Sequence, residues 1–348
     1  MNISTFFYPF LLSVIVVLIS TPFVIKLAYK YKLVDDPKTH KHPAIIHRKT
    51  IARAGGLPIY IAIVISSLFF LEINLQLIMI LLAGLGVVVV GLLDDKYDLS
   101  PYVRFASNII FAGIVVFSGV TIPFVTNPLG GILHFSTVTL VSFYIPQLLA
   151  VIWIVWVMNM LNWSKGVDGQ MPGIATIAAI VIGLASLRFT IIGESNLTVS
   201  ELSFIVAGAS LGFLIFNFYP AKIFPGYSAT VLGFFIGILS ILSGVKLATA
   251  VLVMGIPTAD ALFTILRRTL SKKSPFWHDK GHLHHLLLKL GLGHRSIAIF
   301  YWTMSGVLGS IALMLSSKGK LFAIILLVVL VAGGILTLKY LTRNGKNT

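Results

Sequence analysis

Long apolar runs alternate with short polar interruptions from one end of the chain to the other. Runs long enough to cross a bilayer, roughly 17 to 25 residues, fall near residues 5–25, 54–72, 75–93, 105–121, 139–160, 173–190, 203–219, 228–244, 246–266, 297–315 and 320–338. They predict an all-α, polytopic membrane protein with about eleven transmembrane helices, forming a single unit over residues 1–348. Glycines and prolines blur the ends of the fourth to sixth runs. The first run reads as a span and not as a cleaved leader. It is longer than the apolar core of a leader, has no basic residues before it, and ends in FVIKLAYKYK without a small-residue cleavage site.

Composition supports this reading. Of the 348 residues 57% are hydrophobic, the mean hydropathy is +0.98, and 11% are charged, where a soluble domain carries about 25%. The sequence contains no cysteine, which removes disulfides, thiolate catalysis and cysteine-ligated zinc. The net charge of +15 does not point to nucleic acid, because the basic residues interrupt spans instead of forming a basic domain.

Their placement gives a topology. The segment between the first two runs carries Lys26, Lys30, Lys32, Lys38, Lys41, Arg48, Lys49 and Arg53. By the positive-inside rule it is cytoplasmic, which puts the amino terminus outside and, with eleven spans, the carboxyl terminus in the cytoplasm. The same parity places loops 26–53, 94–104, 161–172, 220–227 and 267–296 inside, together with 22 of the 26 Lys and Arg; the four outside are Arg188, Lys246, Lys318 and Lys320. Asp94, Asp95, Asp98, Asp168, Asp260 and Asp279 then lie at or near cytoplasmic span ends. A site assembled there would meet a nucleotide-like cytosolic substrate and a lipid head group at the same depth.

Several polar groupings carry candidate chemistry. GLLDDKYDLSPYVR, residues 91–104, places two adjacent carboxylates directly after an apolar run. Asp94 and Asp95 can hold a divalent cation through oxygen ligands, or they mark a helix end at which Asp98 and Ser100 cap and Pro101 opens the next helix. NMLNWSKGVDGQMPG, residues 159–173, offers Asn162, Lys165, Gly166 and Asp168. Its glycines allow close backbone approach to a ligand, while Asp168 can accept from a sugar, a base or a metal-bound water; a re-entrant loop explains the same pattern. In FNFYPAKIFPGYSAT, residues 216–230, Asn217 ends a span, and Lys222 can attract phosphate or serve topology alone. The 267–295 segment contains HDKGHLHH, with His278, Asp279, Lys280, His282, His284 and His285, suited to phosphate binding or to zinc, with the surrounding Arg and Lys favouring an anion. Asp260 lies inside an apolar helix, where an ionisable group is costly and is functional by default, pairing with a nearby lysine or arginine being the alternative. Arg53 lies where its loop can reach phosphates or anionic lipid.

In order and spacing, ARAGGLPIY, GLLDDKYDLSPYVRF, NMLNWSKGVDG, FNFYPAKIF, IPTADALFTILRR and SPFWHDKGHLHHLLLKLGLGHR resemble the polyprenyl-phosphate N-acetylhexosamine-1-phosphate transferases over roughly residues 53–295. The likeness is greatest to the undecaprenyl-phosphate GlcNAc-1-phosphate branch of glycosyltransferase family 4, with the phospho-MurNAc-pentapeptide translocase as a distant sister. This resemblance implies transfer of an N-acetylhexosamine 1-phosphate from a UDP-sugar to polyprenyl phosphate, with release of UMP and with magnesium as cofactor. It also implies an enzyme of the plasma (inner) membrane whose active face is cytoplasmic, which initiates a cell-surface polysaccharide such as lipopolysaccharide or teichoic acid. A homo-oligomer is compatible with it and nucleic acid is not a partner.

Carried over by motif position, Asp94, Asp95 and Asp168 fall on the family's catalytic and metal aspartates. Asn162, Lys165, Gly166, Asn217, Lys222, Asp260, His282, His284, His285 and Arg53 fall on or beside its substrate-binding segments. Two motifs depart from the family pattern. Lys165 stands where the asparagine- and aspartate-rich loop carries its first acid, with Gln170 in place of a leucine, and Tyr227 stands at an acid expected to hold magnesium. A binding protein for polyprenyl phosphate or UDP-sugar, with a regulatory or assembly role, is the alternative that these departures open.

Overall fold

A computed structural model describes residues 4–37, 49–127, 131–135, 140–188, 197–244, 247–274 and 281–344. His278, Asp279 and Lys280 lie outside the described residues, as do Lys38, Lys41 and Arg48. The helices are α1 (Ser4–Lys30), α2 (Gly56–Phe70), α3 (Leu75–Tyr97), α4 (Pro101–Phe117), α5 (Leu140–Trp163), α6 (Gln170–Arg188), α7 (Leu197–Asn217), α8 (Thr230–Leu242), α9 (Leu247–Val253), α10 (Gly255–Leu270), α11 (Leu283–Lys289), α12 (His294–Met314) and α13 (Ser317–Asn344). Five strands of two or three residues accompany them: β1 (Val34–Asp35), β2 (Ile51–Arg53), β3 (Phe124–Thr126), β4 (Ile132–His134) and β5 (Ile223–Phe224). The chain is thus an all-α, multi-pass membrane protein with small strand connections.

Among the described residues seven helices, α1, α3, α5, α6, α7, α12 and α13, are long and apolar enough to cross a membrane, and α9 with α10 adds an eighth if the pair is one span. Every expected apolar run contains a helix, but three of these helices are short. Helices α2, α4 and α8 have 15, 17 and 13 residues, and at about 1.5 Å per residue α8 reaches only about 20 Å. Helix α8 owes its apolarity to protein neighbours, because Thr230 to Ser240 are all buried. Hydropathy alone does not separate such a core helix from a lipid-facing one. The expected single span at 246–266 is broken: α9 and α10 meet at 88°. The break falls at Met254, directly before Gly255 and Pro257, where a residue without an N–H fits the first turn of a new helix better than the interior of a continuing one.

Small residues let the helices approach. Gly208 and Gly212 of α7 meet the backbone of α1 near Phe10 and Val14, and Ser13 Oγ donates to the Ile205 carbonyl at 2.8 Å. Gly233 and Gly237 of α8 lie on α5 at Met158 and Ile154. Both pairs have the four-residue spacing that brings membrane helices into backbone contact.

At one end of the bundle the polar connections are tied together. β1 pairs antiparallel with β2, and β2 pairs parallel with β5, setting Arg53 opposite Phe224. Helix α3 ends at Asp98, in the left-handed region with φ 49°, and Ser100 caps α4 by accepting from the Tyr102 N–H at 3.3 Å, with Pro101 in the first turn.

Candidate active site

The turn 225–229 is the centre of this end. Gly226, with φ +64°, turns the chain so that the N–H groups of Tyr227 and Ser228 converge on Asp95 of α3. Asp95 Oδ1 accepts from the Tyr227 N–H at 2.7 Å, and Oδ2 accepts from the Ser228 N–H at 3.3 Å. Arg53 Nη2 lies 3.4 Å from Oδ1. Close packing of α3 on the turn requires Gly91, where a β-carbon would overlap Ser228, and the Gly56 N–H donates to Ser228 Oγ at 3.1 Å. Asp95 therefore clamps three segments distant in sequence.

Its neighbour Asp94 is paired with Arg104, whose Nη1 donates to Oδ2 at 3.3 Å. The buried Oδ1 of Asp94 lies 3.3 Å from the same nitrogen and makes no hydrogen bond of its own among the described residues. Tyr227 fills the space beside this pair. Its hydroxyl accepts from Asn108 Nδ2 at 3.1 Å, and its ring has the Arg104 guanidinium at 5.3 Å and the Lys165 ammonium at 5.7 Å from the centroid. Both are within the range at which a cation is drawn to an aromatic face. Lys165 Nζ donates to the Gly226 carbonyl at 3.0 Å.

Burial pushes the Lys165 ammonium down to about 8, against the attraction of Asp95 and Asp94, and burial pushes the Tyr227 phenol up to about 12. Tyr227 is thus a neutral donor and acceptor at every physiological pH. Lys165 is less basic in the folded protein than in an unfolded chain. Folding therefore works against its charge below about pH 8, and this opposition is relieved as the pH rises from about 8 toward the unfolded value of 10.5. For an anionic ligand the sign is opposite: affinity is expected to fall as the pH passes upward through about 8, and Lys165→Arg should remove that fall. Titration of ligand affinity between pH 7 and 9 in both proteins checks this.

The magnesium that the resemblance implies is a poor match to these side chains. Magnesium wants near-octahedral oxygen ligation. Asp95 accepts a backbone N–H with each oxygen, Tyr227 puts a protonated phenol held by Asn108 where the family pattern has a carboxylate, and the Lys165 ammonium sits on the Gly226 carbonyl. Three cations, Lys165, Arg53 and Arg104, outnumber the two carboxylates Asp94 and Asp95 in this cluster, so its net charge opposes a divalent cation. Among the described residues no group of three or more His, Asp or Glu is placed to hold a metal ion.

The 164–169 loop lies between this cluster and a second one. Asp168 Oδ2 accepts from the Ala221 N–H at 3.1 Å. The Gly169 N–H donates to Asn217 Oδ1 at 2.9 Å, and Asn217 Nδ2 donates to the Ile223 carbonyl at 2.9 Å. Trp302 Nε1 donates to the Gly169 carbonyl at 3.0 Å, so the loop is held from three sides with Gly169 at φ +79°. Asn162 Oδ1 accepts from Thr230 Oγ1 at 3.5 Å, the outer limit of a hydrogen bond. Lys222 is exposed, and its ammonium lies 6.0 Å from the Phe216 ring centroid.

The histidine cluster closes the remaining side. Asp260 Oδ2 lies 2.9 Å from His282 Nδ1, and its Oδ1 accepts from the Leu283 N–H at 3.0 Å. Arg268 Nη2 lies 3.4 Å from His282 Nε2. A guanidinium can only donate, so Nε2 accepts and the Nδ1 proton faces Asp260. His282 stacks on His284 with centroids 5.5 Å apart and 7° between planes, and His285 follows at 4.3 Å from His284. Burial, reinforced by the neighbouring His285 and His282, holds His284 well below the ordinary imidazole range. Gly166 lies directly against the His284 ring, leaving no room for a β-carbon.

The structure thus gathers Arg53, Asp94, Asp95, Lys165 and Tyr227 in one cluster, and Asp260, His282, His284 and His285 in another. Gly166 touches the second, while Asp168 and Asn217 anchor the loop between the two. Sequence reading did not single out Arg104, Asn108, Arg268, Trp163 or Trp302. Arg104 and Asn108 were readable in principle, since polar residues four apart share one face of an otherwise apolar helix. Trp163, under the Arg268 guanidinium at 5.9 Å, gave no such signal.

Residues 77–244 match the model of glycosyl transferase family 4. The chain is 33% identical over 333 residues to a probable undecaprenyl-phosphate N-acetylglucosaminyl 1-phosphate transferase of Bacillus subtilis, covering 92% of this chain and 88% of the relative. It is 28% identical over 369 residues to a decaprenyl-phosphate N-acetylglucosaminephosphotransferase of Mycolicibacterium smegmatis, covering 96% and 88%. It is also 28% identical over 330 residues to an undecaprenyl-phosphate alpha-N-acetylglucosaminyl 1-phosphate transferase of Thermotoga maritima, covering 92% and 93%. With likeness that runs nearly end to end on both sides, the chain belongs to the glycosyl transferase family 4 superfamily of polyprenyl-phosphate sugar-1-phosphate transferases.

Proposed function

We propose that the protein transfers an N-acetylhexosamine 1-phosphate from a UDP-sugar to undecaprenyl phosphate or a similar polyprenyl phosphate. An oxygen of the lipid phosphate attacks the β-phosphorus of the nucleotide, the bond from that phosphorus to the UMP oxygen breaks, and UMP leaves. One observation carries this reading: the buried Asp94 keeps an oxygen without a hydrogen bond beside Arg53, Arg104 and Lys165. That oxygen accepts the proton of a lipid phosphate as it attacks, while the cations offset the charge of two phosphates brought together. Asp95 holds the turn that carries Tyr227, Asp168 and Asn217 hold the loop, and Asn162 and Lys222 border it. The histidine cluster with Asp260 binds the sugar nucleotide. The basic segment 26–53, held inside by the positive-inside rule, would set this face in the cytoplasm at the plasma membrane, where the polyprenyl tail stays in the bilayer. The reaction would start a cell-surface polysaccharide.

The test is transfer of radiolabel from a panel of UDP-N-acetylhexosamines to undecaprenyl phosphate by purified protein. Product is expected, and Asp94→Asn is expected to slow it roughly a hundredfold or more, the usual loss on removing a general base. A panel that gives no labelled lipid sinks the proposal. The second reading, a binding protein of regulatory or assembly role, is favoured by the Lys165 ammonium and the Tyr227 phenol in the cluster, and it is the one left if lipid phosphate binds and no sugar transfers.

A further inference from the structure

We infer that Lys165, Arg53 and Arg104 form a receptor that captures a phosphate or diphosphate group through fixed side-chain cations, so that ligand binding at this site needs no divalent cation. The inference rests on the proposed transferase reading only for the identity of the phosphate ligands. Exposure decides the sign of what the site offers. The side chains of Arg53 and Arg104 are 26% and 19% exposed, while those of Asp95 and Asp94 are 0% and 1% exposed. An incoming ligand therefore meets the guanidinium groups first, with Asp95 anchoring Arg53 and Asp94 lying beneath Arg104.

Lys165 is held in the same way. Its ammonium is tethered to the Gly226 carbonyl at 3.0 Å, and the Tyr227 ring receives it and the Arg104 guanidinium at 5.7 Å and 5.3 Å. The ring keeps two cations close together without neutralising either, which a carboxylate at that position would do. Asn108 fixes the phenol that carries the ring. Lys165 and Tyr227 are therefore one device and not two unrelated replacements: the lysine supplies a positive charge, and the tyrosine gives it a neutral seat. Three cations set over two anchored carboxylates leave a net positive edge, which suits a doubly charged phosphate group.

The experiment measures binding apart from turnover. Radiolabelled undecaprenyl phosphate and radiolabelled UDP-N-acetylglucosamine are titrated separately onto the purified full chain, once in EDTA and once in magnesium. At least one ligand is expected to bind with the same affinity in both buffers, and the two titrations show whether the phosphate comes from the lipid or from the nucleotide. Lys165→Met is expected to weaken that ligand about tenfold or more, and Lys165→Arg to retain it. Binding that disappears in EDTA and returns with magnesium while Lys165 is intact overturns the inference, and this wild-type comparison does not depend on how any variant folds. Failure of both ligands to bind in either buffer overturns it too. If binding without metal persists and no UDP-sugar gives transfer, the receptor stands and the transferase reading falls.

Discussion

Asp95→Asn is expected to abolish transfer and to destabilise the protein by about 3 to 5 kcal/mol, the usual consequence of removing one partner of a buried, hydrogen-bonded charge pair. The carboxylate accepts from the Tyr227 and Ser228 N–H groups with separate oxygens and has Arg53 at 3.4 Å. An amide keeps one acceptor and turns its NH₂ toward a backbone donor, so one N–H loses its partner and Arg53 loses its counter-charge. Both consequences meet in the 225–229 turn, which carries the Tyr227 ring and the carbonyl that holds Lys165. Thermal unfolding in detergent and radiolabel transfer measure the two effects. An unchanged unfolding midpoint would show that the clamp is not what holds the turn.

The second large effect is expected at Gly166. Only a hydrogen fits between its Cα and the His284 ring, so Gly166→Ala must move the 164–169 loop or the imidazole. Overpacking of this kind costs roughly 1 to 3 kcal/mol, and a shift of about 1 Å in a positioned group can cost a hundredfold in rate. A loss of about a hundredfold in transfer is therefore expected, with the protein still folded. Removing the ring in the double variant, Gly166→Ala with His284→Ala, restores the space, so the two substitutions should show strong coupling in a cycle. Simple additivity of the two losses would mean that the contact does not matter to the site.

Much of the fold was legible because hydropathy depends on local composition. Every expected run contains a helix, yet α8 shows the limit of that signal: a helix sealed by protein looks the same as one sealed by lipid. The break between α9 and α10 was concealed by an unbroken apolar stretch, with Gly255 and Pro257 as its only marks. The ionisable residues of the site were legible for a different reason, since charges are scarce in this chain and stand out at helix ends. Their partners were not. Asp95 is satisfied by backbone N–H groups 132 and 133 residues away, and no side-chain pattern encodes a backbone donor. Strands β2 and β5 are too short for periodicity to register, so the pairing that brings Arg53 to the site has no local signature. Tyr227 read as a lost acid, and only its neighbours show what the ring does instead.

The pairing of β2 with β5 also sets an order of events during synthesis. The Gly56 N–H and its Ser228 Oγ acceptor are separated by 172 residues, and at roughly 5 to 20 residues per second a ribosome needs about 10 to 35 s to make that interval. Helices α1 to α7 are made before the 225–229 turn that joins Arg53, Gly56 and Asp95 exists. The Arg53 segment must wait at the membrane surface until the 223–229 stretch has emerged, and the clamp on Asp95 forms in the same step. A chain stalled before residue 223 would hold most of the long apolar helices, the Asp94–Arg104 pair and the bonds of Asp168 to Ala221 and of Gly169 to Asn217, but not the turn that clamps Asp95 and seats Lys165, so that part of the site is completed only after most of the bundle has been made.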